Sequence, residues 1–195
     1  MSEADGGVVV GPDGRARCAW ATSAPEYLRY HDDEWGVPVR GESELFERLT
    51  LEAFQSGLSW LTILRKRPAF RAAFSGFDAD AVARYGPLEV AALMQDRGIV
   101  RNARKVDAAV ANARAVVALR PSGGLAELLW SHAPWKHRTP RTPAEVLGTT
   151  PESVALARAL KAHGFVFVGP TTAYAAMQAC GLVDDHLAGC HRSPG

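Results

Sequence analysis

The sequence has no apolar run approaching the ~20 residues that a membrane-spanning helix needs. Its opening stretch, MSEADGGVVVGPDGRAR, lacks the basic start and long apolar segment of a secretory signal, so the expected location is the cytoplasm, with no membrane contact. Cysteine is scarce. Three in 195 residues argue against a disulfide framework, and in a reducing compartment such thiols pack or bind metal. An excess of one charge is missing too: 22 Lys and Arg face 21 Asp and Glu, a net +1. The chain is therefore not basic overall, and a nucleic-acid surface would need local segregation of charge. Extended runs are nearly absent. Phe165 to Val168 (FVFV) is the one such run, and a single run cannot make a sheet.

What is present fits a globular chain with one sizeable core. Residues 1–16 are Gly-rich and read as a flexible leader, with 17–195 as a single domain. The punctuation is helical, and the fold class is all-α. Ser23 with Glu26 reads as a capping box that opens a helix towards Gly36. Ser43 opens the next, with Leu45, Phe46, Leu49 and Ala53 on one stripe and a stop at Gly57. Ser59 starts a third, which Pro68 should end. Further helices are expected at roughly 79–85, 87–95, 101–119, 124–131, 143–147, 151–163 and 170–180.

The segment RCAWATSAPEYLRYHDDEWG, Arg17 to Gly36, crowds Trp, Tyr, Cys and His together. Cys18 and His31 flank twelve residues, and His186 and Cys190 flank three near the other end of the chain. Two thiolates and two imidazoles would fill a tetrahedral zinc shell and leave no open position for water. Spacing leaves a second reading open, in which these residues are simply packed. Glu52 flanks the apolar stripe of Leu45 and Leu49. It is either a solvated helix-edge acid or the floor of a pocket lined by Trp and Tyr, which would suit a flat polar or cationic ring. MQDRGIVRNARKVDAAVANA, Met94 to Ala113, reads as a helical hairpin with Arg101, Arg104 and Lys105 at the start of its second helix. Cations there oppose the helix dipole, which a bound phosphate would explain and a solvated basic face would not require. Arg65 to Arg71 and Lys136 to Arg141 are further basic clusters.

Taken together, RCAW, YHDDEWGVP, LFERLTLEAFQSGLSWLTIL, GIVRNARK, GFVFVGPTTAYAAMQACGLVDDH and the late Gly189-Cys190 resemble the constitutive bacterial 3-methyladenine DNA glycosylase I family, from Arg17 to about Pro194. The resemblance implies a helix-hairpin-helix glycosylase fold with a structural zinc on Cys18, His31, His186 and Cys190, one per chain. It places the damaged adenine on Trp60, with Trp20, Tyr27 and Tyr30 around it, Trp35 in the core, and Glu52 on the base edge as the catalytic carboxylate. It puts the DNA contacts on Gly98, Val100, Arg101 and Lys105; Leu58, beside the Gly57 break, is the candidate wedge into the base stack. The expected partner is duplex DNA containing alkylated adenine, bound by a monomer. The expected reaction is monofunctional hydrolysis of the N-glycosidic bond after base flipping. Related glycosylases use an aspartate after the hairpin. Only Asp107 stands near here, and the resembled family lacks that aspartate too. A non-catalytic base-binding protein and a zinc-stapled DNA-binding module are the rival readings.

Overall fold

The computed structural model describes residues 7–193, which form nine α-helices, short 3-10 turns and one two-stranded hairpin. Strands β1 (Val8–Val10) and β2 (Ala16–Cys18) pair antiparallel, with Val8 opposite Cys18. The expected flexible leader is thus structured from Gly7 onward, while residues 1–6 lie outside the described part. Pro12-Asp13-Gly14 makes the turn, with Gly14 at φ 75°, and Asp13 holds it by bonding Arg17 through both carboxylate oxygens.

Helix α1 (Pro25–Asp33) starts on Ala24, not on a capping box. Ser23 spends its hydroxyl on the Trp20 carbonyl, and Glu26 pairs with Arg65 instead. Helix α2 (Glu42–Gln55) is the central element and buries nine residues from Leu45 to Phe54, Glu52 among them. Helix α3 (Trp60–Ala73) begins at Ser59, whose hydroxyl accepts from the Thr62 amide. It continues through Pro68 rather than ending there. Buried Phe70 and the Arg67–Glu34 and Arg71–Glu47 ion pairs anchor the turns on both sides of the proline, which offsets its missing hydrogen bond.

The remaining helices are α4 (Ala79–Ala83), α5 (Pro87–Gln95), α6 (Ala103–Leu119), α7 (Gly124–Trp130), α8 (Pro151–Ala162) and α9 (Pro170–Ala179). Thr150 caps α8 as the sequence predicts, and Gly164 follows its end at φ 86°. The segment at 143–147 forms only a short 3-10 turn, Pro143–Glu145. FVFV is not a strand. Both backbone polar groups of Val166 bond the Asn112 side chain, which takes the place of a neighbouring strand.

The core lies where α2 packs against α3, α6, α7 and α9. Phe46, Phe54, Phe70, Phe74 and Phe77 interlock there, with ring centroids 4.8–6.1 Å apart between neighbours. Cys180 is fully buried in this core. No helix among the described residues is long and apolar enough to cross a membrane.

Candidate functional site

Where α1, α2, α3 and α9 meet, they leave a cleft of about 360 Å³, a size that admits a single flat heterocycle. Tyr27 and Tyr30, three apart on α1, both line it, and His31 is turned away. The Tyr27 hydroxyl accepts from the Leu61 amide at 3.0 Å, so it fixes its own ring and also satisfies the first turn of α3. That same turn presents Trp60, whose ring lies 5.4 Å from Tyr30. Trp20 comes from the 3-10 turn Ala19–Ser23 and meets Tyr27 and Trp35 edge-on at 5.7 and 5.2 Å. Trp35 is therefore a wall of the cleft, contrary to its expected place in the core.

Glu52 is the floor. It is 7% exposed, lines the cleft and makes no hydrogen bond to any described residue. Burial pushes its carboxyl up to about 8, against the pull of Arg48 one turn earlier on α2. Burial, and then the Glu52 charge, holds the Tyr30 phenol well above its ordinary value, so it remains a neutral donor. The buried Trp60 indole N–H has no partner among the described residues. The five expected pocket residues, Trp20, Tyr27, Tyr30, Glu52 and Trp60, do come together. Sequence reasoning missed Ser23, Gln55, Ala175 and Gln178. Gln55 lies one turn after Glu52 and was within reach of a helical-face argument; Gln178 gave no local signal.

Behind this cleft, Cys18, His31 and Cys190 bring their ligand atoms within 4.8 Å of one another. Cys190 Sγ lies 3.4 Å from His31 Nε2. The Cys18 thiol first, and His31 as well, pull Cys190 well below the ordinary thiol range. His186, the fourth expected member, stands beside this trio: its ring is 4.6 Å from His31, and its Nε2 lies 3.3 Å from the His31 carbonyl oxygen. Each histidine has a carboxylate on Nδ1, Asp32 at 2.8 Å from His31 and Asp184 at 2.6 Å from His186. Arg17, itself buried, holds Asp32 in turn.

Of the expected DNA contacts, Lys105 and Gly98 are engaged within the fold. Lys105 is buried, and its ammonium donates to the carbonyls of Phe54 and Ser56, so it caps the end of α2 and is not free for a phosphate. The Gly98 N–H is likewise engaged, by Asp96. Gly98 serves packing: a Cβ there would lie 2.8 Å from the Ala69 methyl of α3. Val100 is partly buried against the core. Arg101 and Arg104 are exposed and make no ion pair with a described residue. In the cluster from Arg65 to Arg71, the arginines pair with Glu26, Glu34 and Glu47, and Lys66 holds the carbonyls of Arg97 and Gly98. These cations are spent on the fold. Leu58 is 38% exposed on the loop between α2 and α3, where its carbonyl accepts from the Gln55 side-chain amide. Asp107 lies away from the cleft, next to Tyr85 and Arg114.

A mostly helical frame with one hairpin opens an aromatic cleft over a buried acid that has no hydrogen-bond partner among the described side chains. The chain belongs to the methyladenine glycosylase family, whose model matches residues 20–193; these are enzymes that hydrolyse N-glycosyl bonds. It is 44% identical over 184 residues to DNA-3-methyladenine glycosylase 1 of Escherichia coli, a match that spans 92% of this chain and 97% of that protein. A crystal structure of a 3-methyladenine DNA glycosylase I superposes with a TM-score of 0.87 at 43% identity, covering 91% of this chain and all of that one. A variant of another such enzyme, solved in complex with 3-methyladenine, superposes at 0.86 with 34% identity, over 92% and 98% of the two chains.

Proposed function

We propose that this protein is a DNA repair glycosylase that removes 3-methyladenine from alkylated duplex DNA and leaves an abasic site. The observation that carries the reading is Glu52, a buried acid without a partner, enclosed by Trp20, Tyr27, Tyr30 and Trp60. Methylation at N3 makes the nucleotide's adenine cationic, so the base departs neutral and its glycosidic bond is already weak. Aromatic faces attract such a ring by roughly 0.5–2 kcal/mol per contact. An ionised Glu52 matches its charge and accepts from the exocyclic amine. Normal adenine carries no such charge and gains neither term.

The base must leave the duplex to reach this floor, at a cost of a few kcal/mol. Leu58, exposed on the loop that leads into Trp60, is the residue that would fill the gap that it leaves. The turn between α5 and α6, reading as a helix-hairpin-helix, would meet the backbone through Val100 and the free cations Arg101 and Arg104. No lysine lines the cleft, which supports a monofunctional enzyme without strand cleavage.

Cys18, His31, His186 and Cys190 suit a structural zinc. Two soft thiols lie with His31, whose Nδ1 is held by Asp32 so that Nε2 faces Cys190, and His186 stands beside them with its Nδ1 held by Asp184. Zinc would supply a cross-link between the first hairpin and the C-terminal segment. It would not supply reaction chemistry, since four protein ligands leave no open position.

The test is release of free base from N-methylated duplex DNA. The expected result is 3-methyladenine in solution and alkali-labile sites in otherwise intact strands. Binding without release would favour the non-catalytic reading, and neither binding nor release would overturn both.

A further inference from the structure

We propose that Gln178 is a specificity-determining residue, which presents a fixed carbonyl oxygen to the base and rejects keto-substituted purines such as 3-methylguanine. This rests on the reading of the cleft as a 3-methyladenine site. Gln178 lines the cleft from α9. Its Nε2 donates to Asp185 Oδ2 at 2.7 Å. Asp185 is 3% exposed and takes two more hydrogen bonds, from the Tyr174 hydroxyl at 2.8 Å and from His137 Nε2 at 2.8 Å.

An ionised carboxylate can only accept, so it admits one orientation of the Gln178 amide, with nitrogen towards Asp185. The amide is planar, and its oxygen therefore diverges from Asp185. That Oε1 accepts no hydrogen bond from a described residue, and it is not buried without a partner. The backbone beneath it is pinned as well. Gly36 N donates to the Gln178 carbonyl at 3.1 Å, and a Cβ on Gly181 would meet the Val37 backbone at 2.5 Å, so the end of α9 is locked to the segment that carries Trp35.

The cleft thus has two polar acceptors of different kinds, the Glu52 carboxylate and the Gln178 carbonyl. An exocyclic amine has two N–H groups and can satisfy both. With Glu52 ionised opposite the cationic ring, a keto oxygen in that place would face two acceptors and have no proton to offer them, and sites built this way reject the mismatched ring strongly. A glutamine free to turn its amide would give no such discrimination. Asp185 acts on the base only through Gln178 and is a positioning residue.

The experiment measures release of 3-methyladenine and 3-methylguanine from the same methylated duplex by wild type, Gln178→Met and Asp185→Asn, each checked by a thermal melt. Wild type should strongly prefer 3-methyladenine. Gln178→Met keeps the length of the side chain but loses the acceptor, and the adenine-to-guanine ratio should fall by about tenfold, one hydrogen bond of ordinary strength. Asp185→Asn can donate to Oε1, which frees the amide to turn, and the ratio should fall again. An unchanged ratio in either folded variant, including an equal loss of both activities, would overturn the proposal, because a merely structural role moves both rates together. If one variant fails to fold, the other decides. A wild type that releases neither base would instead refute the functional reading itself, before any variant is made.

Discussion

Arg48 and Glu52 lie one turn apart on α2, yet they do not pair: the Arg48 guanidinium donates to the carbonyls of Glu34 and Ala179, and the Glu52 carboxyl has no hydrogen bond to a described residue. The cation ties α2 to its neighbours and leaves the acid to a ligand. The consequence is a carboxyl pushed up to about 8 by burial, while the unfolded chain titrates it near 4.5. Between those values the folded state binds the extra proton, so stability contributed by this group is lost as pH rises. Urea unfolding should show wild type weakening relative to Glu52→Gln between about pH 4.5 and 8, by up to about 1.4 kcal/mol per pH unit. A constant difference across that window would mean that Glu52 is solvated.

Glu52→Gln should also separate charge from shape. The fold survives and one acceptor remains, but the cationic nucleotide loses its counter-charge. Single-turnover excision of 3-methyladenine should fall tenfold or more, about 1.4 kcal/mol for each decade. Binding of the neutral free base should fall less. Wild-type excision should rise with pH as Glu52 ionises, and the variant should lack that rise. Unaltered excision in a folded variant would remove Glu52 from the chemistry.

Much of this site is written locally. Glu52 stands at the edge of an apolar stripe, and Ser59 announces the turn that carries Trp60, so spacing singles out both as candidates while the resemblance assigns them to the base. The Cys and His residues stand out because so few other thiols exist. Lys105 does not yield to the same treatment. It looks like one more cation at a helix start, and only the packing of α6 on the end of α2 brings its ammonium to carbonyls 51 and 49 residues away. Trp35 and Gln178 are likewise fixed by tertiary contacts between distant segments. The first hairpin is different. Pro12-Asp13-Gly14 is a turn signal, but the strands of three residues on either side carry almost no periodicity to mark a hairpin.

Lys105 and its exposed neighbours should behave oppositely. Lys105→Met leaves two carbonyls at the end of α2 without their donor, and stability should fall by about 1–3 kcal/mol. The salt dependence of DNA binding should not change. Arg101→Ala and Arg104→Ala should leave the melt alone and each reduce the salt slope by about one unit, on damaged and undamaged duplexes alike. A salt slope that follows Lys105 instead would place its ammonium on the DNA.

Metal and fold should be lost together. Cys190 and Cys18 come from opposite ends of the chain, and their sulfurs converge with His31 inside a shell that Arg17, Asp32 and Asp184 hold in place. Binding energy at such a site is folding energy, because the unfolded chain has no preformed cage. Cys190→Ser replaces a soft thiolate with a weak hydroxyl ligand, so zinc content and melting temperature should drop in parallel. A chelator should lower the melting temperature of wild type towards that of the variant and leave the variant unmoved. Any loss of excision should follow the folded fraction, since a zinc held by four protein ligands would keep no position for substrate. A Cys190→Ser protein that is metal-free and melts like wild type would reduce the cluster to packed thiols and imidazoles, the plainer of the two readings that residue spacing allows.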